Sequence, residues 1–321
     1  MTPSICLDPL YPSLLTEDKI PRVAAAGFRH VEFWSWRDKD IPAIEAACRK
    51  HDVHVVNFSG HRMGSPVADT THPILFADAS DAVATARILS CQRLMLLTNA
   101  LNPDGSVADR FEEIPDDIKF KNTVSALNQL ISIIPDDITL VLEPLNTLVD
   151  HPGYYLNDID TASAIVRAVG SPRLKILCDL YHFSVMGVDL KKIVTNHLPE
   201  IGHFHIADAP GRHEPGTGSV DWMAMLRLIQ DRGYTACVGT PGHGLVSSRS
   251  RTSERKSLPV CQLKKYSHAL ARGVLNSMEI SQSPWIVISM LTSRHPKSLP
   301  MKRPKDTVSH VRKERCGNEE S

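Results

Sequence analysis

The chain has 321 residues, of which 42% are hydrophobic and 22% charged, and its formal net charge is zero. That length suits one large α/β domain with an appendage, or two domains, and the composition excludes a fibrous or wholly disordered protein. The charge is uneven: about 15 Lys and Arg face about 6 Asp and Glu from Thr240 onward, so roughly +9 at the end offsets roughly −9 upstream.

The chain opens on an apolar strand near residues 4–7, followed by a helical pattern near 16–26 that Gly27 closes. Strands near 29–34, 53–58 and 93–98 then alternate with helices near 40–51, 71–90 and 113–134. A strand near 138–143 leads to a helix near 157–169, with Asp160-Thr161 as its N-cap candidates and Gly170 as its stop. Strands near 174–179 and 201–206 flank a helix near 189–198. Ser219-Val220-Asp221 opens a helix near 220–232, Gly233 stops it, and an eighth strand follows near 234–238. Eight strands with helical crossovers predict an α/β fold, a (β/α)8 TIM barrel rather than an open doubly wound sheet. After Y-T-A-C-V-G the chain becomes Ser-, Arg- and Lys-rich and carries no further β/α unit, only a weak helical pattern near 262–278. The expected organisation is a barrel over 1–239 with its last β/α unit incomplete, then an irregular, basic, largely disordered tail over 240–321.

Three strands end on polar groups of one kind of chemistry. T-L-V-L-E-P places Glu143 after an apolar run that Pro144 terminates. L-K-I-L-C-D-L-Y-H places Asp179 in the same position with His182 three residues on, and I-G-H-F-H-I-A-D delivers His205. A closed barrel gathers strand C-termini on one face. A carboxylate there costs several kcal/mol unless something pairs with it. Glu143, Asp179 and His205 are therefore the expected ligands of a divalent metal, with Glu143 also moving protons and His182 reaching a substrate oxygen. An oxygen-rich set with one imidazole suits Mg, Mn or Co more than structural Zn. By strand alternation His203 faces the same way as His205, but deeper, as a barrel-layer residue; Asp208 is left between orienting a ligand and capping its loop.

The loop G-R-H-E-P-G-T-G offers Arg212, whose planar fork suits a substrate carboxylate; it lacks the ending of a phosphate loop. Glu32, Trp34 and Trp36, and Asn57 and His61, lie in early loops where they serve either the pocket or the packing beneath it. The seven scattered cysteines form no C-x-x-C pair, so free thiols in a reducing compartment are expected. The first residues lack a signal-peptide pattern and no apolar run approaches ~20 residues. A cytoplasmic protein acting on a small-molecule substrate follows as the expectation, with no membrane partner. The basic tail lacks a nucleic-acid module, so no nucleic-acid partner is expected; a homo-oligomer is compatible with the sequence, which leaves that point open.

V-L-E-P-L-N with D-H-P-G-Y-Y-L, C-D-L-Y-H and I-A-D-A-P-G-R-H-E-P-G-T-G together resemble the hydroxypyruvate isomerase family, among the xylose isomerase-like TIM-barrel isomerases and epimerases. The resemblance covers roughly residues 3 to 239. It implies metal-assisted aldose–ketose isomerisation of a small hydroxy-carbonyl acid or sugar through an enediolate, with Glu143 as metal ligand and acid–base group and Asp179 as a second ligand. His205 matches the third position, where hydroxypyruvate isomerases typically carry Gln and ketose epimerases carry His, so a ketose 3-epimerase is the alternative. The family's eighth strand ends in a V-G-L-E-like string whose Glu is the fourth ligand and second catalytic carboxylate. Here Val238-Gly239 runs into Thr240-Pro241. The expected activity is impaired, and a catalytically inactive binding or degenerate product is the remaining alternative. An abrupt switch within one strand is what a frameshift, a retained intron or an alternative splice produces.

Overall fold

The structure, a computed structural model, describes residues 1–241. The basic tail, with its weak helical pattern, lies outside the described residues from residue 242 onward. Eight parallel strands alternate with helices in the order β1 (Thr2–Cys6), α1 (Thr16–Ala25), β2 (His30–Phe33), α2 (Ile41–His51), β3 (His54–Ser59), α3 (His72–Leu89), β4 (Arg93–Leu96), α4 (Asp116–Ile133), β5 (Thr139–Leu142), α5 (Ile159–Val169), β6 (Leu174–Asp179), α6 (Leu180–Val185), α7 (Leu190–His197), β7 (Ile201–His205), α8 (Trp222–Asp231) and β8 (Cys237–Thr240). The sheet closes in sequence order, with β8 pairing to β1 from Thr2↔Cys237 to Ile5↔Thr240. The barrel thus closes with Thr240, where the character of the sequence changes, as the last residue of β8.

Local chemistry explains the boundaries. Asp40, Asp158, Asp189 and Asp221 each cap a helix by accepting a backbone N–H from the first turn. At α5 the cap is therefore Asp158, bonded to Thr161 N at 2.7 Å, rather than Asp160. Gly170 ends that helix at φ 67°, a left-handed position that a side chain disfavours. Ile159, Ala162, Ile165 and Val166 recur at helical spacing and are buried, which turns one face of α5 onto the barrel. Trp222, Met225, Leu226 and Ile229 do the same for α8. The principal apolar core lies between the outer wall of the barrel and this ring of helices.

The lumen is different. Register aligns Ser4 with Gly239, Gly239 with His205, and His205 with Asp179, so these four positions share one level of the barrel. Glu32 of β2 reaches His203 and His205 of β7. In the sheet β2 and β7 are separated by β1 and β8, so this contact crosses the interior. A polar cluster, not an aliphatic layer, fills that part of the barrel. Among the described residues no helix is long and apolar enough to cross a membrane.

Candidate active site

Glu143 leaves β5 as the next residue after the strand, and its N–H still bonds Leu96 O at 3.0 Å. Its carbonyl accepts from Tyr154 Oη at 3.0 Å, and that hydroxyl accepts from Thr98 N at 2.8 Å. The tyrosine of H-P-G-Y-Y thus ties the β5 exit to the β4 exit. The Glu143 carboxylate is free of these backbone bonds and is 4% exposed. Its Oε1 lies 3.8 Å from His205 Nδ1.

Asp179 ends β6, fully buried, and divides its oxygens. Oδ1 accepts from Tyr181 N at 3.0 Å and so caps the short helix α6. Oδ2 takes Arg212 Nη2 at 3.1 Å and lies 3.5 Å from His182 Nε2. Arg212 sits at φ 55° in the loop after β7, stacked over the Tyr181 ring at 5.2 Å. Its Nε is buried without a hydrogen-bond partner among the described residues. The fork predicted for a substrate carboxylate therefore already pairs with Asp179 and retains an unused donor.

Donor atoms of Glu143, Asp179 and His182 lie within 4.8 Å of one another, and those of Glu32, His203 and His205 form a second such group. Proximity alone would favour His182 over His205 as the nitrogen beside the two carboxylates. Proton placement reverses this. Asn146 Oδ1 accepts from Val149 N and Asp150 N, both at 3.0 Å, which fixes the orientation of its amide. Its Nδ2 must then donate to His182 Nδ1 at 2.7 Å, and Asn146 N approaches the same atom at 3.3 Å. His182 Nδ1 is therefore an acceptor, and in the neutral ring the proton is on Nε2. That atom lies 3.5 Å from Asp179 Oδ2 and 3.4 Å from Arg212 Nη2, and with the proton there it has no lone pair for a cation. His205 is the converse. Its Nε2 meets the Glu32 carboxylate at 2.9 Å and carries the proton, which leaves a lone pair on Nδ1 toward Glu143.

Electrostatics follow burial and these pairs. Burial pushes the Glu143 carboxyl up to about 7; the Asp179 carboxylate adds to the rise, and His205 and Arg212 oppose it. Burial and then the Arg212 charge hold His182 well below its usual value, so the ring is neutral. For His205, burial works downward, but the Glu32 carboxylate, then Glu143 and Asp179, outweigh it and raise the ring. Glu32 would be raised by burial, yet the two imidazoles hold it well below the carboxylate range. Two hard carboxylates and one imidazole with an inward lone pair fit a divalent cation of the Mg, Mn or Co kind.

The other early-loop residues divide between site and scaffold. His61 is buried against the Leu97 backbone at 3.0 Å and Trp36 packs on Phe58, so both support the loops. Asp208 accepts from Gly216 N at 2.7 Å and Val220 N at 3.3 Å, which resolves it as a loop cap. The five described cysteines are all free thiols; Cys261 and Cys316 lie outside the described residues.

Gly239 has a definite steric role. A Cβ there would overlap the Glu32 carboxylate and come within 2.7 Å of His205 Cδ2. Gly239→Ala is expected to cost about 1–3 kcal/mol, the usual result of overfilling a packed interior, and urea unfolding measures it. An unchanged midpoint would mean that this level of the barrel has slack.

A family model described as xylose isomerase-like TIM barrel matches residues 20–251. The hydroxypyruvate isomerase of Escherichia coli K12 is 28% identical over 228 residues, which span 69% of this chain and 85% of that protein. A Homo sapiens protein provisionally named a hydroxypyruvate isomerase is 31% identical over 230 residues, 69% of this chain and 81% of its own length. Among solved structures, an AP endonuclease of family 2 from Brucella melitensis superposes with a TM-score of 0.67 at 24% identity, covering 76% of this chain and 94% of that one.

Proposed function

The chain belongs to the xylose isomerase-like TIM-barrel family, with hydroxypyruvate isomerases among its relatives, and from that premise we propose that its site interconverts a small 2-oxo-3-hydroxy acid and its aldehyde isomer, hydroxypyruvate and tartronate semialdehyde. One observation carries the reading: the carboxylates of Glu143 and Asp179, from the ends of neighbouring strands, lie within 4.8 Å of each other, and Nδ1 of His205 lies 3.8 Å from Glu143.

Glu143, Asp179 and His205 Nδ1 would hold a divalent cation. When bound, it supplies charge stabilisation for the substrate oxygens as negative charge develops on them. Arg212 has a buried, unused Nε for the substrate carboxylate. His182 presents Nε2–H as a donor to a carbonyl or hydroxyl oxygen, its ring held by Asn146. Ionised Glu143 removes a proton from the hydroxymethyl carbon, leaving an enediolate; a proton delivered to the adjacent carbon, with the hydroxyl proton passing from the C3 oxygen to the C2 oxygen, gives the aldehyde. The partner that would deliver the second proton in the family pattern is a glutamate two residues after Gly239, where this chain has Pro241. The chain is therefore proposed to exchange the hydroxymethyl proton faster than it isomerises.

The test is NMR of hydroxypyruvate in D2O with the full chain and Mn2+. Deuterium entering the hydroxymethyl carbon, with little aldehyde formed, is the expected result. Neither exchange nor isomerisation would sink the assignment; turnover equal to that of the Escherichia coli relative would sink the impairment. His205 favours a second reading, epimerisation of a ketose at C3, because its position in the family pattern carries His in ketose epimerases. Deuterium entering C3 of D-fructose but not hydroxypyruvate would select it.

A further inference from the structure

We propose that Glu32 is a positioning residue: from across the barrel lumen it fixes the tautomer of His205 and thereby presents Nδ1 as the cation ligand. This rests on the cation site proposed above and deepens it.

The hydrogen-bond count around Glu32 is complete. Oε1 accepts from Ser4 Oγ and meets His203 Nε2 at 3.0 Å. Oε2 accepts from Asn57 Nδ2 at 3.1 Å and meets His205 Nε2 at 2.9 Å. An ionised carboxylate offers about four acceptor positions, and four groups from β1, β2's neighbour β3, and β7 fill them. A carboxyl that kept its own proton would leave two donors facing each other. His205 Nε2 must therefore carry hydrogen, and the free electron pair falls on Nδ1. Metal-binding histidines usually donate their second N–H to a carboxylate or carbonyl, which sets both tautomer and aim. Here the carboxylate lies 173 positions away in the chain, and it is 3% exposed.

The surroundings are shaped for this contact. Gly239, level with His205 on the adjacent strand, leaves no side chain where Glu32 and the ring meet. The other imidazole at Glu32, His203, is fully buried, with Nδ1 unpartnered among the described residues. It buttresses Glu32 from below and has no path to the mouth. A carboxylate placed only to seal the barrel would not need to meet the one imidazole whose other nitrogen faces Glu143.

The experiment pairs two readouts on the full chain. Histidine 15N spectra of the metal-free protein, on the alkaline side of the His205 titration, report which nitrogen carries hydrogen. Calorimetry or electron paramagnetic resonance gives the Mn2+ dissociation constant. Wild type should show His205 as the Nε2–H form. Glu32→Leu removes the acceptor and should shift that ring toward a tautomer mixture while weakening Mn2+ by about 10–100-fold. Glu32→Gln should rescue both. With its amide oxygen toward Asn57 Nδ2, His205 still meets an acceptor, and its NH2 can donate to Ser4 Oγ and His203. An Nδ1–H ring in wild type overturns the proposal, as does a folded Glu32→Leu with the parental tautomer and Mn2+ constant. If Glu32→Leu does not fold, the wild-type spectrum and the Glu32→Gln pair decide. Absence of Mn2+ binding with the Nε2–H form intact would remove the cation site, and with it the Nδ1 role, while leaving the tautomer control measured.

Discussion

Glu143→Gln is expected to lower any proton exchange or isomerisation by this chain about 10²–10⁴-fold, the usual share of a positioned acid–base group, and also to change how stability depends on pH. The amide keeps the size of the side chain and cannot accept the proton. Loss of less than about tenfold would mean that another group carries the transfer. Deuterium entry into the hydroxymethyl carbon is the measurement, since it reads the first proton step without requiring a completed turnover.

The stability half of this result comes from the environment of Glu143. Its carboxyl rises from 4.5 to about 7 on folding, through burial first and the nearby Asp179 carboxylate next. A raised acid favours the folded state while it can stay protonated. Its contribution is therefore complete below about 4.5 and fades as pH climbs through about 7. Once both states are ionised, folding has lost about 3 kcal/mol relative to acid conditions from this group. Glu143→Gln lacks the titration. The stability of the variant minus that of the metal-free parent should grow by about 3 kcal/mol between pH 4 and pH 8. Parallel stability curves from urea unfolding across that range would contradict the burial argument. Saturating Mn2+ should shrink the difference at pH 8, because a cation favours the ionised carboxylate.

How much of this was legible before folding depends on the distance over which each feature is decided. Glu143, Asp179 and His205 stand at the ends of apolar runs, and strand plus terminator is local information. The parallel barrel then brings strand ends together by a general rule, so their neighbourhood follows. Asp158 displaces Asp160 as the cap of α5 because capping is decided by which carboxylate sits outside the first turn, a matter of one backbone angle. Helix α6 escaped because six residues, L-Y-H-F-S-V, are too few to show a helical period. Glu32 was visible only as a polar residue among aromatics. Its meaning depends on closure, since His203 and His205 come near it only when β8 pairs with β1. Arg212 shows the same limit: its side-chain type suits a carboxylate, but only the fold reveals that Asp179 already holds one arm. Asn146 gave no signal at all, although its amide is what places an acceptor role on His182 Nδ1.

Pro241→Glu is expected to produce the largest gain in activity. Gly239 faces the lumen, as the imagined Cβ against Glu32 and His205 shows. Residues two apart along a strand share a face, so the side chain at 241 continues inward just past the end of β8, as Glu143 does past β5. Pro241 is buried there and brings no acid, base or ligand. A carboxylate at this position would add negative charge beside Glu143 and Asp179. In the metal-free protein that charge is unfavourable, so a lower melting temperature at neutral pH is expected. With Mn2+ the sign reverses, because affinity for a hard cation grows with the number of anionic oxygens around it; a gain of more than about tenfold is expected. A second proton-transfer group should raise isomerisation by about 10²–10⁴-fold over the parent. Pro241→Gln has the same length without the charge or the transferable proton, and separates these effects from simple removal of the proline. Equal Mn2+ affinity and equal turnover for the Glu and Gln variants would show that position 241 does not reach the site, and that the low activity expected of this chain has another cause.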